Sequence, residues 1–323
     1  MDTFSFDGRV AVVTGAGRGI GRAYAVLLGA LGAKIVVNDL GGGRDGSGSD
    51  LGPAESVVAE IVAAGGSAVA NGNDVSDPDS AKAIIDQAVA EYGRIDIVVN
   101  NAGNIVWGAL PDADLGNIER HLDVHVKGSF NTVKAAWPHF LEQGYGRVVL
   151  TGSTGMFGLP DNLGYAIAKA SMIGMAKSMT VSAGQHDIKI NVVAPNAMTR
   201  LGSREEGGSA DDVPEVPGME PELVAPLVAY LAHEACQVSG ETYVGGAGRT
   251  ARLFVGVTQG YLNEPGTTPA VADVAANWDA VNDETGYYVP GDIMDWAGHY
   301  MSHRTPDAAQ MERVTPDQSG ASR

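Results

Sequence analysis

The stretch DNLGYAIAKASM holds a tyrosine and a lysine four residues apart, Tyr165 and Lys169. On a helix this spacing stacks the two side chains on one face, a phenol beside an ammonium. A free phenol, with a pKa of ~10, is a poor base at neutral pH, and a neighbouring cation favours its ionised form. The pair therefore has the makings of a general base for an alcohol proton. A packed ring next to a solvated lysine is the plainer reading. Ser153, at the end of the apolar run VVLTGS, adds a hydroxyl upstream of the pair.

A second cluster could hold phosphate. VVTGAGRGIG sets Gly15, Gly19 and Gly21 between an apolar β-branched run and a helical stretch. Glycines there let backbone amides and a helix N-terminus approach a pyrophosphate. The next apolar run ends in Asp39, where a carboxylate can accept hydrogen bonds from a ribose diol. Such a carboxylate repels a 2′-phosphate and favours NAD over NADP. Arg18 argues the other way, because a guanidinium can pair with that phosphate.

The elements that must position these residues follow from the alternation of patterns. The runs RVAVVTG, KIVVND, SAVANGND, RIDIVVNNAG, GRVVLTGS and IKINVVAPN read as short buried strands. Helical stretches reach to Leu31 and fall near residues 53–64 and 78–91. This predicts an α/β fold with a single doubly wound parallel sheet, a Rossmann fold with helices on both faces, and a C-terminal extension. Ligands of such sheets sit outside the carboxyl ends of the strands, where Ser153 stands. Residues 1–285 are expected to form the catalytic domain with the NAD site, and residues 286–323 a tail. GGGRDGSGSD (41–50) and GSREEGGSADDVPEVPG (202–218) are expected as binding loops or lids, with floppy insertions as the alternative.

The 323 residues, 44% apolar, suffice for one large core. A net charge of −18 argues against nucleic acid, which needs clustered Lys and Arg. No apolar run reaches the ~18 residues of a spanning helix. The acidic start MDTFSFDGRV lacks the pattern of a signal peptide, and SGASR at the end is no peroxisomal address, so a cytoplasmic location is expected. The single cysteine, Cys236, excludes an internal disulfide and fits a reducing compartment. His121 and His125 lie four apart, as do His299 and His303, a spacing that can bind metal on a helix. Neither pair has a third ligand nearby, so no metal is expected. Met172, Met175 and Met179 read as core or interface packing. Their helix is apolar on more than one face, which predicts a homodimer or homotetramer.

Taken jointly, TGAGRGIG, Asp39, NDV (73–75), NNAG (100–103), Ser153 and the Tyr165–Lys169 pair resemble the short-chain dehydrogenase/reductase superfamily. FDGRVAVVTGAG, GRAYA, VVNDLGG, YGRIDIVVNNAG, GSF, AAWPHF, APNA, VAPLVAYLAHEAC and TPAVADVAANWDAV narrow the likeness. They resemble the (3R)-hydroxyacyl-CoA dehydrogenase domain of peroxisomal multifunctional enzyme type 2, also called 17-beta-hydroxysteroid dehydrogenase type 4. The resemblance covers roughly residues 4–282. It implies that Tyr165 exchanges the proton with the substrate oxygen, that Ser153 hydrogen-bonds that oxygen, and that Lys169 holds the nicotinamide ribose and lowers the phenol's pKa. It further implies NAD contacts at Gly15, Arg18, Gly19, Ile20, Gly21, Asp39, Asp74, Val75, Asn101, Ala102, Gly103, Pro195 and Asn196, besides Tyr165 and Lys169.

Two positions depart from the superfamily pattern. His125 stands where an asparagine usually feeds a water relay to the lysine; it is either a relay through the imidazole or a hydrogen-bonded core histidine. Asn196 stands where glycine is usual. The implied activity is NAD-dependent oxidation of a (3R)-3-hydroxyacyl-CoA to the 3-oxoacyl-CoA, in breakdown of fatty acids or sterol side chains. A dehydrogenase of free secondary alcohols such as hydroxysteroids is the rival enzyme, and a non-catalytic NAD-binding sensor or scaffold the rival of another class. The family's fused hydratase is outside this chain, which implies a separate enoyl-CoA hydratase as partner. Arg200, Arg204, Arg249 and Arg252 are candidates to meet CoA phosphates or, more plainly, solvated arginines.

Overall fold

Seven apolar runs pair side by side in the order β3-β2-β1-β4-β5-β6-β7, all parallel, and an eighth closes the edge. They are β1 (Val10–Thr14), β2 (Lys34–Asn38), β3 (Ser67–Asn71), β4 (Ile97–Asn100), β5 (Tyr145–Thr151), β6 (Asp187–Asn196), β7 (Thr242–Gly246) and β8 (Arg249–Leu253). In this computed structural model, residues 4–199, 201, 216–264 and 266–304 are described. Arg200, Arg204 and most of the 202–218 stretch lie outside them.

The helices between the strands are α1 (Gly19–Ala30), α2 (Gly52–Ala63), α3 (Pro78–Tyr92), α4 (Leu115–His121), α5 (Gly128–Gln143), α6 (Leu163–Ala183) and α7 (Ala225–Ala232). Successive strand residues face opposite sides of a sheet, and here both sides are covered. Ala11, Val13, Ile35, Val37, Ile97 and Val99 pack with α1, α2 and α7. Val10, Val12, Val36, Val98, Val148 and Leu150 pack with α3, α5 and α6, where Met172 is fully enclosed. These strands therefore read as continuous apolar runs rather than alternating ones.

Local chemistry sets the helix limits. Asp77 caps α3 by accepting from the Ser80 amide at 2.7 Å, Pro78 starts it, and Gly93 ends it in the left-handed region at φ +79°. Asp114 likewise caps α4 through the Asn117 amide at 2.7 Å. Residues Leu122–Lys127 continue α4 as a π-turn, which runs without a break into α5. A π-turn widens the helix by one residue and re-aims the side chains it carries.

The eighth strand departs from the all-parallel expectation. β7 and β8 form an antiparallel hairpin whose two central residues, Ala247 and Gly248, both have positive φ (+50° and +72°), the geometry of a tight primed turn.

The chain divides into two compact units at Leu253/Phe254. The second holds α8 (Val271–Ala276), α9 (Trp278–Asn282) and α10 (Ile293–Tyr300), with Tyr288 stacked on His299 at 4.0 Å. No helix among the described residues is long and apolar enough to cross a membrane.

Candidate active site

Strand order reverses between β1 and β4, and a cleft of about 1640 Å³ opens at their carboxyl ends. A single small ligand fills ~300–1,000 Å³, so this space suits a cofactor together with a substrate. Of the predicted residues, Gly15, Arg18, Gly19, Ile20, Asp39, Asp74, Val75, Asn101, Ala102, Gly103, His125, Ser153, Tyr165, Lys169, Pro195 and Asn196 line it.

Gly21 does not. A Cβ there would sit 2.2 Å from the Gly15 carbonyl oxygen and 2.4 Å from Asn101 Nδ2. Its glycine lets α1 close against the turn. Gly15 itself is left-handed (φ +61°), and its Cβ would meet the Ala102 backbone at 2.8 Å. The turn and the β4 end are tied across the switch point. Asn101 Nδ2 donates to the carbonyls of Thr14 (3.0 Å) and Gly15 (2.9 Å), while Thr14 Oγ1 accepts from the amides of Asn101 and Ala102. Thr14 was not singled out in the sequence, although it stands within the glycine motif.

Asp39 ends β2 with both carboxylate oxygens engaged: Oδ2 accepts from the Gly17 amide and Oδ1 from the Gly41 amide, each at 2.7 Å. The residue lines the cleft. The 41–50 loop closes on itself through Asp50 N to Leu40 O (2.9 Å) and docks on the β4 side through Ile105 N to Arg44 O (2.9 Å). Asp74 Oδ1 accepts from the Ser76 amide and hydroxyl, which fixes the turn that presents Val75.

Ser153 follows β5 in extended backbone and caps a short 3₁₀ turn, its Oγ accepting from the Gly155 amide at 3.0 Å. The same hydroxyl is close enough to the Tyr165 oxygen to favour the phenolate. Burial outweighs it and raises the phenol's pKa. The lowering expected from Lys169 is therefore not produced by the protein's own groups. Lys169 lies one turn along α6, buried, its Nζ donating to the Thr151 carbonyl at 2.8 Å, and burial pushes its pKa down to about 7.

His125 stands on the π-turn, edge-on to the Tyr165 ring with centroids 5.4 Å apart. Its Nε2 is 2.9 Å from the Asn104 carbonyl. A carbonyl can only accept, so Nε2 carries the proton and Nδ1 is an acceptor. That Nδ1 is buried and has no partner among the described residues. Burial first, then the Lys169 charge, holds the imidazole well below its ordinary pKa, so it is neutral.

The sequence offers His121 only as one half of a metal-spaced pair. Both of its nitrogens are committed, Nδ1 to the Asn117 carbonyl (2.7 Å) and Nε2 to the Val106 amide (3.2 Å). No cluster of three or more metal-binding side chains occurs among the described residues. Arg120, also unremarked, lines the cleft and makes no ion pair among the described residues, whereas Arg249 and Arg252 are not among the lining residues.

A cleft beside a glycine turn, with half-buried Ser153 and Tyr165 next to a buried Lys169, has the groups an oxidoreductase site needs. Residues 9–205 match the short chain dehydrogenase family, and the chain belongs to it, an oxidoreductase acting on CH–OH groups. It is similar to a short-chain type dehydrogenase/reductase of Mycobacterium tuberculosis, 41% identical over 88% of this chain and 97% of that protein. It is also similar to peroxisomal multifunctional enzyme type 2 of Drosophila melanogaster, 41% identical over 84% of this chain but 45% of the relative. The full-length structure of that enzyme superposes with a TM-score of 0.74 at 30% identity, over 93% of this chain and 50% of its own. The chain thus spans about half the length of that relative. A 7α-hydroxysteroid dehydrogenase complexed with NADH and 7-oxo glycochenodeoxycholic acid superposes with a TM-score of 0.66 at 26% identity, over 76% and 96% of the two chains.

Proposed function

We propose that this protein oxidises (3R)-3-hydroxyacyl-CoA thioesters to 3-oxoacyl-CoA with NAD, Tyr165 being the base. The observation that carries the reading is one cluster in the cleft beside the sheet's switch point: the half-buried Tyr165 phenol next to Ser153, backed by the buried Lys169, with Arg120, which makes no ion pair among the described residues, lining the same cleft. Similarity to peroxisomal multifunctional enzyme type 2 supports the thioester class.

The residues fit a nicotinamide dinucleotide. A side chain at Gly15 would fill the cradle, and Asp39 is prepared for a ribose diol and against a 2′-phosphate. Gly15, Arg18 and Gly19 would hold the phosphates, and Asn196 with Lys169 the nicotinamide end. When bound, the dinucleotide supplies the hydride acceptor and a positive charge near the phenol.

The chain's own part is proton handling and orientation. Ser153 fixes the substrate oxygen against Tyr165, and Tyr165 takes its proton. Lys169 backs the phenol ring from one turn further along α6, and the positive charge of a bound nicotinamide would favour the phenolate that results. His125 supports this as a fixed acceptor. Its only proton is given to the Asn104 carbonyl, which cannot pass it on, so the open Nδ1 can hold a water or the lysine but not ferry a proton outward.

The free, buried Cys236 is in keeping with a reducing cytoplasm, and the exposed Ile167 and Val181 on α6 with a homodimer or homotetramer. The likeness to a hydroxysteroid dehydrogenase favours free secondary alcohols as the second reading.

The test is reduction of NAD in the presence of (3R)- or (3S)-3-hydroxyacyl-CoA, followed by the absorbance of the reduced nicotinamide, with Tyr165→Phe as control. Turnover confined to the (3R) thioester and lost in the variant is expected. No turnover of either thioester by a protein that binds NAD overturns the reading, and turnover of free hydroxysteroids then establishes the second.

A further inference from the structure

We propose that His121 is a positioning residue for Tyr165, acting through the single tautomer in which the fold locks it. This rests on Tyr165 being the base, and reaches beyond it to what holds the phenol in place.

His121 is completely buried at the end of α4. A backbone amide can only donate, so the Val106 amide fixes Nε2 as an acceptor, and Nδ1 carries the proton given to the Asn117 carbonyl. Burial lowers its pKa, which keeps the ring neutral. One imidazole thereby joins three pieces of the site. The first is the wall segment 104–108, clamped at Val106 by His121 Nε2 from one side and from the other by Asn117 Nδ2 donating to the Val106 carbonyl at 2.9 Å. The second is α6. Gly164, the residue before Tyr165, lies so close that a Cβ would be 2.7 Å from His121 Nδ1 and 2.6 Å from Asn117 Oδ1. The third is His125, whose ring is parallel to that of His121 (interplanar angle 10°, centroids 6.1 Å).

Tyr165 is edge-on to both imidazoles, 6.1 Å from His121 and 5.4 Å from His125. The polar groups facing the phenol are thus Ser153 from the turn after β5, Lys169 on α6, and the two neutral histidines. Any motion of His121 shifts the wall, the first turn of α6 and the ring that flanks the phenol together. A neutral, doubly engaged imidazole suits that task, since a second proton would set N–H against N–H at Val106.

The experiment follows the Tyr165 Cζ resonance of protein labelled at tyrosine with carbon-13, assigned by its loss in Tyr165→Phe and titrated with pH. Alongside it are kcat and KM on a (3R)-3-hydroxyacyl-CoA and the Kd for NAD. His121→Phe keeps a ring but orphans the Val106 amide. It should move the Tyr165 titration and lower kcat on the order of 10- to 100-fold, with the NAD Kd and KM changing far less. His121→Gln, with an oxygen to accept from an amide, should recover part of kcat. Gly164→Ala leaves the histidine intact and pushes on Nδ1, and should produce the same signature. This variant keeps the test decisive if His121→Phe does not fold.

An unaltered Tyr165 titration and kcat in Gly164→Ala, or in a folded His121→Phe, overturns the proposal. The resonance needs no turnover, so it reports on His121 even if the thioester proves to be the wrong substrate.

Discussion

The Lys169 ammonium stands over the Tyr165 ring, 5.6 Å from its centroid, yet donates its hydrogen bond to the Thr151 carbonyl at 2.8 Å rather than to the phenol oxygen. The lysine is thus anchored to the end of β5, with the Tyr165 ring beneath it and Ser153 just beyond that end. Burial moves the two pKa values in opposite directions, the ammonium's down to about 7 and the phenol's up, because it disfavours the charged form of each.

The depressed lysine makes stability depend on pH. Between pH ~7 and ~10.5 the unfolded chain holds this proton and the native chain does not, so Lys169 adds a slope of rising stability with pH across that window. Below the window the native chain carries a buried ammonium at full cost. Lys169→Met should therefore raise Tm most below pH ~7, and the gain should fade towards pH ~10. Losing the Thr151 bond, worth ~1 kcal/mol, offsets only part of it. Thermal melts of both proteins across this range check it; a gain independent of pH would contradict the buried ammonium.

The raised phenol sets the pH profile of alcohol oxidation. Proton uptake by Tyr165 requires its ionised form, so kcat/KM should climb with pH towards the alkaline range. Tyr165→Phe should lose ~10²–10⁴-fold and leave only a flat residual rate. Steady-state rates at matched ionic strength decide this. A variant retaining the wild-type slope would remove Tyr165 from the proton path.

Much of this arrangement is legible in the chain. The alternation of RVAVVTG, KIVVND and RIDIVVNNAG with helical stretches gives the strand order's logic, and the spacing of Tyr165 and Lys169 does place both on one face of α6. Other features are not local. The π-turn at Leu122–Lys127 has no glycine or proline before Gly128 to announce it, and it alone brings His125 alongside Tyr165. The close packing at Gly21 involves Asn101, eighty residues away in sequence, which the glycine motif alone does not announce. Lys169's partner is a backbone carbonyl, which any residue type at position 151 would offer. Burial, the dominant cause of both pKa shifts, is a property of the packed core and not of the spacing.

The proposed preference for NAD rests on Asp39, whose carboxylate braces the Gly17 and Gly41 amides and would repel a 2′-phosphate, with Arg18 lining the same cleft. Asp39→Ser should weaken NAD binding and shift the NAD/NADP preference by at least ~10-fold towards NADP, since one charge-assisted contact is worth ~1.5–3 kcal/mol. Calorimetric titration with each dinucleotide measures it. Equal losses for both would mean that Asp39 serves the loop alone.

Arg120 provides the most direct handle on substrate class. The other basic side chains lining the cleft have employment there: Arg22 pairs with Glu60 and Glu222, Lys169 is bound to Thr151, and Arg18 flanks the glycine turn. Arg120 is exposed on the last turn of α4, close enough to the Asp45 carboxylate to favour its ionised form. In a chain of net charge −18, such a cation is a place where a phosphate-bearing handle can be drawn in. Arg120→Ala should raise KM for a (3R)-3-hydroxyacyl-CoA by ~5–10-fold and weaken its salt dependence, since an exposed cation acts through screened, long-range attraction. The same variant should handle the matching N-acetylcysteamine thioester, which has no phosphate, like the wild type. Parallel kinetics on the two thioesters, each at low and high salt, separate the cases. An equal rise in KM for both would assign Arg120 to the shape of the cleft rather than to its charge.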